Sequence, residues 1–344
     1  MSRVEAFLDD TPGEVRGVVV RNGGFEHLLI QREDDVAEHR LGARCVGRIS
    51  EIHAGLKGGF VDLGPVLPGF LPFRGTDRLT VGQKVEVEVS AEPREGKGPT
   101  LRLTGGGEGP PRLLAPGPTV SETLARLVPG VTPVTGRAAL QASRDAEEEA
   151  GRAGELFPDT GLDLVVQRTR ALIAVDLDLA PGPGVAFGAA ARTRANRQGL
   201  QAAARIIRLK RWAGLVAVDL IGTGEDGEAV MAAAKAAFGG DPEVVFGPVS
   251  RFGLLQLALP WRRTPLEEIL NGADGRRRPA QRAQDIVRSL RQALLTDTAA
   301  PRVVVRAAMD DAALAAPLVA RLGPRAHLEG DPAFAPGVFR FEER

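Results

Sequence analysis

The chain predicts an α/β multidomain protein, and three patterns carry that expectation. Two short apolar runs, Ile173-Ala174-Val175 and Val216-Ala217-Val218, each end in a carboxylate, Asp176 and Asp219, with a basic helix-like stretch between them. Five short strand-like runs separated by Gly-rich turns follow one another from about residue 42 to 104. Ahead of them, two alternating runs meet at Asn22-Gly23-Gly24, a strong hairpin signal. At 344 residues there is room for two or three domains.

The hairpin strands are read as Val15 to Val20 and Glu26 to Gln31. The five runs are Cys45 to Ile52, Gly59 to Asp62, Pro68 to Pro72, Lys84 to Ala91 and Thr100 to Thr104. Their spacing suits a small OB-like barrel of Greek-key type. Phe60 and Phe70 are its candidate base-stacking residues, with Arg48, Lys57 and Lys97 as cations for phosphate. The other reading makes both phenylalanines core. Residues 105–118, rich in Gly and Pro, form a boundary by composition. Ser121 reads as the N-cap of a short helix through Leu127, and Ala138 to Leu156 as a helix with Glu147, Glu148 and Glu149 on a solvated face.

Leu164-Val165-Val166 and Leu172 to Leu177 read as a hairpin around Arg168-Thr169-Arg170, and Arg192 to Arg211 as a helix. Seven basic residues and no acid stand between 191 and 213. The spacings 194/197, 205/208 and 208/211 keep much of that charge to one side, a footprint for phosphate. A right-handed βαβ crossover brings both strand tips to one edge of a sheet, where ligands collect in open α/β sheets. Asp178, two residues past Asp176, points the same way. Three convergent oxygen donors suit Mg²⁺ or Mn²⁺. Strand-end aspartates also cap the turns that follow them, which is the alternative for this pair.

Composition sets limits. Lys plus Arg equals Asp plus Glu, 44 each, so any contact with nucleic acid rests on local clusters. Cys45 is the single cysteine, which excludes an internal disulfide and a cysteine-built zinc site within one chain. No run is long enough for a membrane helix and no signal-peptide pattern opens the sequence, so a cytoplasmic location is expected.

Several strings resemble the ribonuclease E/G family. Val46-Gly47-Arg48-Ile49, Gly59-Phe60-Val61-Asp62-Leu63-Gly64 and Gly69-Phe70-Leu71-Pro72 are similar to its RNA-binding barrel. Leu164 through Asp178 resembles the family's first nuclease strand pair, and Ala213 through Asp219 its Gly-Gly-Leu-Ile-Val-Ile-Asp strand. Ser250-Arg251-Phe252-Gly253-Leu254-Leu255 is similar to the family's Ser-Arg-Phe-Gly-Leu-Leu, the most specific single string.

The resemblance implies a ribonuclease H-like frame (1–41) with an inserted OB-fold barrel (42–104) and a shortened sensor-like linker (105–165). A DNase I-like α/β nuclease core (166–270) and a linker with a small α/β C-terminal domain (271–344) follow. The implied function is Mg²⁺-dependent endoribonucleolytic hydrolysis of single-stranded RNA to 5′-phosphate and 3′-hydroxyl ends, in RNA processing or decay. Asp176 and Asp219 would be catalytic and, with Asp178, would hold the metal; Arg205 and Arg251 would meet the charge on the phosphate. Phe60, Phe70, Lys97, Arg48 and Asn196 would contact RNA.

The chain also departs from the family. Its Arg-Thr-Ala-Gly motif for the RNA 5′ end is missing between 105 and 165, Asp178 replaces an asparagine, and Gln256 a glutamate. The family's Cys-Pro-x-Cys pair is absent from Asn271 to Arg278, so no zinc is expected and any homo-oligomer forms without that link. Arg276, Arg277 and Arg278 read there as an exposed linker or as an RNA contact. The alternative function is a catalytically silent RNA-binding homologue.

Overall fold

Asn22 and Gly23 both have positive φ, 51° and 84°, as a tight two-residue hairpin turn requires. They join β2 (Glu14–Arg21) to β3 (Gly24–Arg32), and β1 (Val4–Asp9) pairs antiparallel with β2. The sequence predicts β2 and β3 but not β1, where burial falls on every third residue (Ala6 and Asp9) and no period of two is visible. The computed structural model describes residues 3–75, 78–179, 188–222 and 227–342. The chain divides into two units, Met1–Gly23 with Leu28–Asp145 and Arg263–Arg344, and Gly24–His27 with Ala146–Arg262.

In the first unit β4 (Arg44–His53), β5 (Gly58–Asp62), β6 (Gly69–Pro72), β7 (Lys84–Ala91) and β8 (Thr100–Gly106) lie in the order β5-β6-β8-β7-β4. A further β4–β5 pairing closes the ring into a five-stranded barrel. Period-two burial fills it with Cys45, Ile49, Val61, Leu63, Leu71, Val85, Val87, Val89 and Leu101. The stretch that composition marks as a boundary is partly strand: β8 runs on to Gly106, and β9 (Arg112–Ala115) pairs with β4.

Two helix boundaries are corrected. Helix α1 (Val120–Leu127) is capped by Thr119, not Ser121, because Thr119 and Glu122 bond each other's backbone N–H groups reciprocally. Helix α2 (Arg137–Gly151) stops short of Leu156, and the chain becomes extended in β10 (Gly154–Phe157).

The second unit centres on one six-stranded mixed sheet, order β10-β11-β12-β13-β15-β14. Its strands are β10, β11 (Leu162–Arg168), β12 (Ile173–Leu179), β13 (Gly214–Asp219), β14 (Val245–Phe246) and β15 (Leu254–Leu259). Helices α3 (Ala189–Lys210) and α4 (Gly227–Phe238) pack on one face of it, through Leu200, Ala203, Ala204, Ile207, Val230, Ala234 and Phe238. A side chain added at Gly199 would lie 2.6 Å from Leu177, so glycine lets α3 approach β12 closely.

The chain returns to the first unit with α5 (Leu266–Leu270), α6 (Pro279–Thr296), β16 (Val303–Ala308), α7 (Met309–Val319), β17 (Ala326–Asp331) and β18 (Phe339–Phe341). The last three strands form a small sheet, order β17-β16-β18. The arginines of the 276–278 triplet are largely tied down: Arg277 pairs with Asp285 and Arg278 donates to the Asn271 carbonyl.

A buried polar network fixes this unit. Glu14 is fully buried and paired with Arg16 at 2.6 Å and Arg32 at 2.9 Å. Arg288 of α6 reaches Asp9 at 2.5 Å and donates to Ser143 of α2. Arg32 also donates to Gln281 of α6. Burial alone would raise the Glu14 carboxyl, but Arg16, Arg32 and Arg288 outweigh it and hold the pKa at about 2. Burial and the neighbouring Arg16 lower Arg288 to about 10, against the pull of Asp9 and Glu14.

Because the folded pKa of Glu14 lies below its ordinary 4.5, its contribution is fully present above that value and is lost as pH falls toward 2. Glu14→Gln should therefore cost about 3–5 kcal/mol in urea unfolding at neutral pH, since it leaves buried guanidinium groups uncompensated. It should also flatten the acid limb of the stability curve between roughly pH 4.5 and 2.

Candidate active site

Alternation along β12 buries Ile173, Val175, Leu177 and Leu179 under the helices and exposes Asp176 and Asp178 on the opposite face. The same alternation in β13 buries Val216 and Val218 and exposes Asp219. The two strands are parallel, and Asp176 stands directly opposite Asp219. Paired residues of adjacent strands share a face and are about 4.8 Å apart in the hydrogen-bonding direction. The two carboxylates are therefore neighbours on one face, at the last pair of the β12–β13 ladder, where β13 ends and β12 runs on to Leu179.

Asp178 shares that face but not that position. It pairs with Asp163 of β11, and its carboxylate accepts the Leu179 N–H at 2.7 Å. Among the described residues, no group of three or more His, Cys, Asp or Glu side chains gathers to hold a metal. Asp178 thus stands on the face of the pair, two residues and about 6.6 Å further along β12. Two carboxylates still fit Mg²⁺, which commonly takes one or two from protein and fills the remaining positions with water and substrate phosphate.

The turn after β14 completes this rim. Ser250 Oγ accepts the N–H groups of Phe252 and Leu254 at 3.3 and 3.2 Å, and Gly253 N donates to the Ser250 carbonyl. Leu254, where β15 begins, is paired with Asp219, and Leu220 N donates to the Gly253 carbonyl. The Ser-Arg-Phe-Gly string is therefore the turn beside Asp219. Arg251 is exposed and its guanidinium lies 4.7 Å from the ring centre of Phe252. Gln256 is exposed opposite Ala217, two residues below Asp219 on the same face.

Two sequence expectations for α3 change. The basic face is not a free one: Arg205 forms ion pairs with Glu149 and, at 2.6 Å, Glu155, and donates to the Phe25 carbonyl. Arg208 pairs with Glu26 at 2.9 Å, and Lys210 is buried with its ammonium on the Arg152 carbonyl. Arg194 and Arg197 remain exposed. Glu149, read as part of a solvated run, is a counterion instead. Asn196 is 2% exposed and cannot lie against RNA. Its Oδ1 accepts the Ile221 N–H at 2.9 Å and its Nδ2 donates to the Ile221 carbonyl at 3.1 Å. It fixes the chain that leaves Asp219.

In the barrel, Phe60 and Phe70 are partners across β5 and β6, half-buried on the outer side while Gly59, Val61 and Leu71 point in. Their rings meet edge to face with centres 5.6 Å apart. Arg48 is exposed opposite Asp62. Lys97 is exposed on a tight turn that leads into Pro99, whose carbonyl accepts the Phe70 N–H; its ammonium is 3.6 Å from Glu95.

Asn196→Ala should lower stability by about 1–3 kcal/mol by leaving the Ile221 peptide without partners. Thermal unfolding against the more conservative Asn196→Asp variant checks it.

No curated protein matches the chain. None of the helices in the described residues is long and apolar enough to cross a membrane. Residues 140–260 match the model of the ribonuclease E/G family, a segment that contains Asp176, Asp219 and the Ser250–Gly253 turn. Through that segment, about a third of its length, the chain is similar to the ribonuclease E/G family.

Proposed function

We propose that the protein is a Mg²⁺-dependent endoribonuclease that cuts single-stranded RNA into products with 5′-phosphate and 3′-hydroxyl ends, in RNA processing or decay. The observation that carries this reading is the Asp176–Asp219 pair, facing the same way at equivalent positions of adjacent strands. Its support is the family match over the segment that contains both acids. The finer architecture proposed with it is a ribonuclease H-like frame, an OB-fold barrel and a DNase I-like core.

A divalent cation, Mg²⁺ or Mn²⁺, bound by Asp176 and Asp219 would polarise the scissile phosphate and lower the pKa of a bound water. Asp176 and Asp219 bring the negative charge that selects such an ion and would fix its place at the last pair of the β12–β13 ladder. Arg251, on the turn beside Asp219, meets the charge that builds on the phosphate oxygens. Asn196 holds Ile221 and with it the exit of β13. Arg205 acts as a positioning residue, holding Glu149 of α2 and Glu155 of β10 against α3. In the barrel, Phe60 and Phe70 receive bases while Arg48 and Lys97 face phosphates, a mode that tolerates many sequences. The proposed setting is the reducing cytoplasm, in keeping with a single cysteine. Any oligomer would form without a cysteine–zinc link.

With an unstructured RNA and Mg²⁺, Asp219→Asn should lower cleavage by roughly 100-fold or more, above the loss typical of outer-shell groups, and chelation should abolish it. Cleavage by Asp219→Asn at the wild-type rate would refute the site. A wild type that binds RNA and never cuts it would establish the silent homologue instead.

Phe60→Ala and Phe70→Ala should each weaken binding of a single-stranded oligonucleotide by about 1–3 kcal/mol. Binding of duplex RNA should change little, and titration of labelled strands measures both.

A further inference from the structure

Phe252 is the most exposed large apolar side chain among the described residues, at 65%. Exposed apolar residues are ordinary when they stand alone, but three observations set this one apart. Its backbone is pinned, because Ser250 Oγ takes the N–H groups on both sides of Gly253 and Gly253 closes the turn at φ 83°. Its ring carries the Arg251 guanidinium at 4.7 Å, so an aromatic surface and a cation are presented together. It also stands two residues from Leu254, the partner of Asp219. Two residues span at most about 7 Å of chain, so a nucleotide flanking a phosphate at the acid pair is within reach of the ring.

Burial does not account for the side chain. Leu255 and Leu257 of the following strand enter the core, whereas Phe252 is held away from it by the turn. A planar apolar ring beside a fixed cation suits a ligand that is aromatic at one end and anionic at the other. Single-stranded nucleic acid has that character, with stacking indifferent to base identity and the cation on the backbone.

We propose that Phe252 is a stacking platform for the base of the nucleotide adjoining the scissile phosphate, with Arg251 on that nucleotide's phosphate. This rests on the proposed ribonuclease reading and adds to it a substrate subsite at the rim itself, separate from the phenylalanine pair of the barrel. It assigns to the turn a part in substrate alignment that the acids cannot supply, because carboxylates repel the backbone they must approach. No change of sequence preference follows, since every base has a stacking face.

The test uses the full chain, a single-stranded RNA oligonucleotide with its cleavage position mapped, and Mg²⁺. Phe252→Ala should lower kcat/KM by roughly 5- to 150-fold, mainly through KM, with unchanged thermal unfolding. Phe252→Trp should retain most of the activity, and Phe252→Leu should behave like the alanine variant. An RNA with an abasic nucleotide beside the cleaved bond should penalise the wild type and leave Phe252→Ala no worse. Unaltered KM and kcat/KM in Phe252→Ala, or losses from variant and abasic site that simply multiply, overturn the subsite while leaving the ribonuclease reading intact. If the wild type does not cleave, the ribonuclease reading falls. The subsite is then decided by affinity for the same oligonucleotide: a loss of the stated size in Phe252→Ala upholds stacking, and equal affinity overturns it.

Discussion

The parallel register of β12 and β13 sets Ile173 beside Val216 and, three steps later, Asp176 beside Asp219. A slip of one residue in either strand would turn one acid toward the core and bring an apolar side chain to the rim. The register is held from beneath, where Val175, Leu177, Val216 and Val218 are locked under α3 and α4. Burial on one face thus determines what is displayed on the other. The crossover through α3 makes the two strands parallel, and parallel strands end at the same edge, so the acids meet although 43 positions separate them.

Charge is distributed with the same economy. Equal numbers of basic and acidic residues could have spread evenly over the surface, yet the strongest pairings lie inside each unit. Glu14 with Arg16, Arg32 and Arg288 ties the first hairpin to α6 in one unit. Glu149 and Glu155 with Arg205 tie α2 and β10 to α3 in the other. Of the cations that the sequence offers for RNA, Arg194, Arg197, Arg251, Arg48 and Lys97 are exposed, whereas Arg205 and Arg208 are engaged by Glu149, Glu155 and Glu26.

Much of the fold was legible because its signals are local. The Asn22-Gly23 turn, the alternation of the barrel strands and the two aspartate-tipped runs each report on a few neighbouring residues. The places where reading failed depend on partners distant in sequence. β1 is a strand only because β2 pairs with it, and β9 only because β4 offers an edge. Arg205 and Asn196 are of types that suit RNA, and nothing in their own stretch reveals that Glu149, Glu155 and Ile221 engage them. For Asp178, period two gave the right face, and its neighbour across β11, Asp163, was not visible in its own stretch. Phe252 was in plain view within a specific string, and the glycine after it was the available sign of a turn that lifts the ring outward.

Arg44 and Val46 of β4, where the barrel begins, are register partners of Ala115 and Arg112 of β9, the strand that follows its last strand β8. The polypeptide therefore comes into this module and departs from it through a single doorway only a strand's width across. Inserted modules with adjoining ends can be lengthened, shortened or exchanged without disturbing the host. Evolution could accordingly resize or replace this barrel as one piece, because a change inside it leaves its point of attachment where it was.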